Sequence, residues 1–173
     1  PVISETGELT FRPATNAFGS TTVSVTLKDS GDSLRGGTNQ SLAQTFTLTV
    51  TNVNDKPKLF VQASVKITED TTTNVFFNVS DIDTPIEAVL TTAQSSNTTL
   101  VTDASLLITG TGTNRVLTIA PSTDATGTAT ITVTADDQAG GLATTSFSLT
   151  VSPVNIAPSF NLSTNSVTVS EDD

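Results

Sequence analysis

The strict alternation of apolar and hydroxyl-bearing residues constrains this chain more than any other feature. Val23, Val25 and Leu27 alternate with Thr22, Ser24 and Thr26, and Phe46, Leu48 and Val50 with Thr45, Thr47 and Thr49. Ala129, Ile131, Val133 and Ala135 alternate with Thr128, Thr130, Thr132 and Thr134, and Phe147, Leu149 and Val151 with Ser146, Ser148 and Thr150. Successive side chains of a strand point to opposite faces, so a period of two builds strands with one face in a core and one in water. Thr, about a fifth of the chain, suits the wet face. Its β-branched side chain packs on a pleated surface while its hydroxyl stays hydrated. No stretch sustains a period of 3.6, and the chain reads as all-β.

The alternating strands fall into a repeat of about one hundred residues. Leu9-Thr10-Phe11-Arg12-Pro13 followed by Phe18-Gly19 matches Leu117-Thr118-Ile119-Ala120-Pro121 followed by Thr126-Gly127. An alternating strand then ends in acid (Asp29, or Asp136-Asp137), and a Gly-containing loop leads to Phe46–Val50 or Phe147–Val151. Each copy closes in a linker, Asn52-Val53-Asn54-Asp55-Lys56-Pro57 or Pro153-Val154-Asn155-Ile156-Ala157-Pro158. The next unit opens on Val65–Asp70 or Val167–Asp172.

This phase makes 58–157 one complete unit. It makes 1–57 the last three strands of a preceding unit and 158–173 the first strand of a following one. Beginning at Pro1 without a signal segment, the chain reads as an internal piece of something longer. Seven strands are expected in the complete unit, at 59–68, 73–80, 87–93, 98–108, 115–120, 128–136 and 144–152. Strands this short, broken by Gly, Pro, Asn and Asp, predict a Greek-key seven-stranded β-sandwich. Its expected core is Val65, Ile67, Val75, Phe77, Val79, Leu117, Ile119, Ile131, Val133, Phe147, Leu149 and Val151. The incomplete units would leave open strand edges. Either another copy completes 1–57, or it folds as a reduced sandwich, or the strand phase is wrong.

Composition narrows the function. The chain has no Cys, His, Met, Trp or Tyr, which removes zinc, haem, thiol and Ser-His-Asp chemistry. Seven Lys plus Arg against 17 Asp plus Glu give a net charge of −10, a poor balance for neutralising nucleic-acid phosphates. No apolar run approaches the roughly eighteen residues of a membrane span. A glycosidase built on paired carboxylates would want an aromatic platform, and eight Phe are the whole aromatic complement. An enzyme is not expected.

Val53–Pro57 (VNDKP), Ser95–Val101 (SSNTTLV) and Leu117–Asp137, with its LTIAP and GTATITVTADD, resemble the bacterial cadherin-like (Ig-like) tandem repeats of very large surface and adhesion proteins. The resemblance covers essentially the whole chain. It implies an extracellular sandwich module of a bacterial surface protein, stiffened by Ca²⁺ at its junctions with neighbouring repeats. By resemblance, Asn52, Asn54 and Asp55 occupy the inter-domain linker motif, and Asp81, Asp83 and Asp136 the acidic positions of the following domain. Glu69 matches the acidic residue after the first strand, serving the opposite junction, where Asp124 could join it. Asn52 stands where the family favours Asp, Lys56 replaces the terminal Asn, and Ile156 takes the place of Asp55 in the second linker. The first junction is therefore the stronger candidate.

Residue chemistry supports the same pole. Ca²⁺ takes six to eight oxygen ligands. Asp81 and Asp83 would project to one side at the end of the second strand, Asp136 and Asp137 end the sixth, and both sites would meet Asn54 and Asp55. Each feature also has a plainer reading: an Asx turn before Pro85 for Asp81 and Asp83, an X-Pro linker for Asn54 and Asp55, loop acids before Gly140-Gly141, and a hairpin-turn acid at Glu69. The loop Ser30–Gln44, with Arg35-Gly36-Gly37, reads as an insertion. The sequons at Asn78, Asn97 and Asn161 are expected by chance in a chain rich in Asn and Thr.

The expected function is an extracellular structural and adhesion module whose partners are neighbouring repeats. Two alternatives stand beside it. One is a module binding a surface carbohydrate or protein through its loops, with Phe18, Phe60, Phe76 and Phe160 as candidate contacts. The other is association with a second copy through the open strand edges.

Overall fold

The computed structural model describes residues 1–31, 38–161, 166, 168 and 171. Arg35-Gly36-Gly37, the end of the Asn161 sequon and most of the expected last strand lie outside the described residues.

The strands of the first stretch are β1 (Val2–Ile3), β2 (Leu9–Thr10), β3 (Gly19–Val25) and β4 (Gln44–Val50). Those of the second are β5 (Lys58–Phe60), β6 (Ser64–Thr68), β7 (Thr73–Ser80), β8 (Leu90–Ser95), β9 (Leu106–Thr109), β10 (Asn114–Ile119), β11 (Gly127–Asp136) and β12 (Leu142–Ser152). No helix among the described residues is long and apolar enough to cross a membrane.

Strands β5 to β12 form two four-stranded sheets, ordered β5-β7-β10-β9 and β6-β12-β11-β8. Every pairing is antiparallel except β6 with β12, which run parallel from Ser64↔Ser148 to Thr68↔Ser152. The inward residues of each strand close one core between the sheets. Val75, Phe77, Val79, Leu117, Ile119, Ile131, Val133, Phe147, Leu149 and Val151 are all buried. At about 1.5–3 kcal/mol for each large apolar side chain removed from water, this face stabilises the sandwich. Val65 is buried too, whereas Ile67 lies partly buried against the cluster.

The expected first strand, 59–68, is two strands. The chain leaves the first sheet after Phe60 and joins the second at Ser64, so the unit enters through both sheets. The expected strand 98–108 is a strand only from Leu106. Before it, Asn97 turns the chain: its carbonyl accepts Val101 N at 3.0 Å and its side chain accepts Thr99 Oγ1 at 2.7 Å. Such local side-chain bonds compete successfully with extension. The turn carries Leu100 and Val101 into the core, followed by a short 3-10 helix at Asp103–Ser105.

Among the described residues four strands, where three were expected, precede the linker. They form two separate pairs, β1-β2 and β3-β4. Val23, Val25, Leu48 and Val50 are half-buried, and Phe11, Phe18 and Phe46 remain exposed.

Candidate metal centre at the linker pole

Strand β7 delivers Asp81 to the pole where residues 51–57 enter the sandwich, and the β11–β12 turn delivers Asp137 to the same place. Asp81 Oδ1 accepts the backbone N–H groups of Asp83 at 2.9 Å and Thr84 at 2.8 Å. This Asx turn fixes the loop, so the plainer reading of that residue is met in full by one oxygen. The other oxygen, Oδ2, is buried and has no hydrogen-bond partner among the described residues. Asp83 Oδ2 accepts the backbone N–H of Asp55 at 2.6 Å, fastening the linker to the loop.

A second fastening lies beside it. Asp137 is only 3% exposed. Its Oδ1 accepts Ala139 N at 2.7 Å and Gly141 N at 2.8 Å, and its Oδ2 accepts Asn54 Nδ2 at 2.7 Å. The bond from Asn54 is the main cause holding its pKa below the ordinary carboxylate value; burial opposes this, and the N–H groups of Ala139, Gly141 and Gly140 add to it. Gly141 is required here for space. A Cβ on it would stand 2.1 Å from Asp137 Oδ2 and 2.9 Å from Lys56 Cα.

The remaining expected residues separate clearly. Asp136 points to the other face of β11, where its Oδ1 accepts Gln138 N at 2.7 Å; Asp137, not Asp136, meets the linker. Asn52 and Lys56 are exposed in the linker. Glu69 sits at the opposite pole, its Oε1 accepting Val154 N at 2.7 Å. Asp124 is there as well, its N–H donating to Asp70 Oδ1 at 3.0 Å. Among the described residues, no three or more carboxylates stand close enough to hold a metal by themselves. Any cation at the linker pole would draw on amide, carbonyl and water oxygens as well.

Arg115 was not anticipated as a site residue. It is 3% exposed, and its guanidinium donates to Gly112 O (3.1 Å), Thr111 O (3.2 Å), Ile86 O (2.8 Å) and Thr91 Oγ1 (2.8 Å). Burial lowers its pKa from the ordinary value, yet a guanidinium remains charged. It ties the β9–β10 turn to the loop that carries Asp81 and Asp83. The signal was its parity: Arg115, Leu117 and Ile119 share the inward face of β10. On the outward face of the same sheet, Phe60 and Phe76 are 65% and 73% exposed.

No protein-family model and no curated protein matches the chain. Solved structures do share its fold. Surface layer protein SbsC, domains 1–6, superposes with a TM-score of 0.52 at 14% identity, covering 80% of this chain and 17% of that one. Protocadherin gamma B2 extracellular cadherin domains 1–5 give 0.52 at 17% identity, covering 78% and 25%. The chain therefore spans well under a third of either structure's length. At these identities the likeness is one of fold: a cadherin/Ig-like β-sandwich.

Proposed function

We propose that the chain is a non-catalytic extracellular module of the structural and adhesion kind, stiffened by Ca²⁺ where the linker enters the sandwich. The observation that carries this reading is the buried, unpartnered Oδ2 of Asp81 beside a linker already fastened at two points. A carboxylate oxygen only accepts, and leaving it buried without a donor costs about 1–3 kcal/mol or more. A bound cation removes that cost. The donors on offer suit a hard cation, being oxygen throughout, and Asp81 and Asp83, completed by the Asn54 amide oxygen, backbone carbonyls and water, would hold it. When bound, the ion supplies charge neutralisation among acids that otherwise repel. The chain's own residues limit the linker's freedom, because Asp83 grips Asp55 N and Asp137 grips Asn54. Lys56 adds a positive charge nearby, which favours the weak affinity of extracellular calcium modules, about 10⁻⁴–10⁻³ M. The fold shared with cadherin and surface-layer domains supports the structural role.

Calorimetry tests the reading. At that affinity, about 1 mM free ion adds roughly 0.4–1.4 kcal/mol to a folded state that alone binds it. The expected result is a higher Tm in millimolar Ca²⁺ than in chelator, a difference absent in Asp81→Ala. Superimposable wild-type melting curves in the two buffers would overturn the proposal.

A further inference from the structure

The two sheets of the complete sandwich turn different faces outward. On β11 and β12 the outward positions are Thr or Ser at every step from Thr128 to Thr134 and from Thr144 to Thr150. On the other sheet each strand instead turns one apolar side chain outward: Phe60 on β5, Phe76 on β7, Val116 on β10 and Leu107 on β9. Val116 is half-buried and the other three are exposed among the described residues. The register makes them neighbours. Phe60 stands opposite Asn78, two residues along from Phe76; Phe76 stands opposite Val116; Leu107 stands opposite Thr118, two residues along from Val116. They form one diagonal stripe over all four strands, about 14 Å across them and about 14 Å along them, at roughly 45° to the strand direction.

Polar pairs flank the stripe. On one side Asn78 Nδ2 donates to Asn114 Oδ1, and on the other Thr118 Oγ1 donates to Asn74 Oδ1 at 2.8 Å. Each amide has two donor hydrogens and an oxygen with two lone pairs, so one internal bond leaves capacity for a partner. The chain has 17 Asp plus Glu, yet the outward residues of these four strands include none, and Lys58 at one corner is their one charged group. An apolar centre with amide flanks and no acids is the composition of a protein contact surface.

We infer that this face docks on the same face of a second copy, forming a two-fold dimer. Three features select that occupant. Copies that each carry a net charge of −10 repel least where acids are absent. Asn both donates and accepts, so identical amide rows are self-complementary, as an isologous contact requires. The geometry also closes: a two-fold axis in the contact plane, running along the stripe, lays stripe on stripe and crosses the two sets of strands at about 90°, the orthogonal packing of sheets. Val116 and Leu107 offer no hydrogen bond to a sugar hydroxyl, whereas both can pack against the rings of another copy. Four strands of about six residues make a face of roughly 20 by 20 Å, so the pair buries about 1,000 Å² in total. That is below the roughly 1,200 Å² of stable interfaces, and the dimer is a transient one, half-formed at about 10⁻⁵–10⁻³ M. It does not depend on calcium.

Sedimentation velocity of the 173-residue chain in chelator, from about 10 µM to about 1 mM, tests it. The expected result is a monomer–dimer equilibrium that stops at two copies and tightens as added salt screens the net charge. Because Phe60 and Phe76 are exposed, Phe60→Lys and Phe76→Lys should melt as the parent does, and each should raise the dissociation constant about tenfold or more. Thr144→Lys, on the outward face of the other sheet, should leave it unchanged. A chain monomeric over the whole range, an association that continues past two copies, or one that Phe76→Lys weakens no more than Thr144→Lys does would overturn the proposal. So would a monomer that binds a soluble polysaccharide and loses that binding in Phe76→Lys, which would assign the face to a glycan.

Discussion

Replacing Arg115 with Met asks whether a buried cation held by carbonyl and hydroxyl oxygens stabilises or burdens the sandwich. The Met side chain keeps most of the aliphatic packing and removes four hydrogen bonds. Bonds to a charged group contribute about 1.5–3 kcal/mol each when fully desolvated. Two of the acceptors, Thr111 O and Gly112 O, belong to a surface turn where water can take over. The loss therefore falls on Ile86 O and Thr91 Oγ1, about 3–6 kcal/mol. Freeing the protein of a desolvated charge returns part of this, since such penalties amount to several kcal/mol. The balance is a destabilisation of roughly 2–4 kcal/mol, or about 10–25 °C in Tm for a domain near one hundred residues. Arg115→Lys should cost at least as much, because it retains the charge and loses the planar fork. Urea unfolding at pH 7 reads both variants, with the slope of free energy against denaturant unchanged. A Met variant within about 0.5 kcal/mol of the parent would refute the reasoning, by showing that the four bonds only offset the cost of burial.

Two further outcomes follow from the linker pole. The folded-state pKa of Asp137 lies below its unfolded value, so its contribution is complete above the ordinary carboxylate pKa and is lost as pH falls through the depressed one. Urea midpoints measured from pH 7 downwards should therefore fall less steeply in acid for Asp137→Asn than for the parent; parallel curves would contradict this. Gly141→Ala should expel the Asp137 carboxylate from its turn and release Lys56, exposing the segment from Asn54 to Pro57 to limited proteolysis. Unchanged cleavage would show that the linker is held elsewhere.

Alternation made the sandwich legible where a single rule governs a strand. From Ala129 to Asp137 the inward parity never breaks, and it carries Asp137 into the buried row that separates it from Asp136. The same parity marked Arg115. The sequence names Asp137 only together with Asp136 and passes over Arg115, because a charged residue on an apolar face reads as a strand end until its partners are visible. Leu100 and Val101 were hidden for a different reason. Their placement depends on side-chain capping by Asn97, which leaves no periodic trace. The division of the first strand between sheets was equally silent, since Val61–Ala63 carry no proline or glycine to mark the crossing. The acids of the linker pole were legible as a group. Their division into two fastenings and one unpartnered oxygen was not, because it rests on which backbone N–H each carboxylate meets.

The parallel pairing of β6 with β12 has a mechanical consequence. The polypeptide arrives at one end of the sandwich and departs at the other, and these two strands bridge the path between arrival and departure. Tension applied along that path loads their ladder in shear, so its rungs must fail together rather than peel one by one. A string of such units would resist being drawn out until the applied load exceeded the strength of a whole ladder, and would then yield one sandwich at a time.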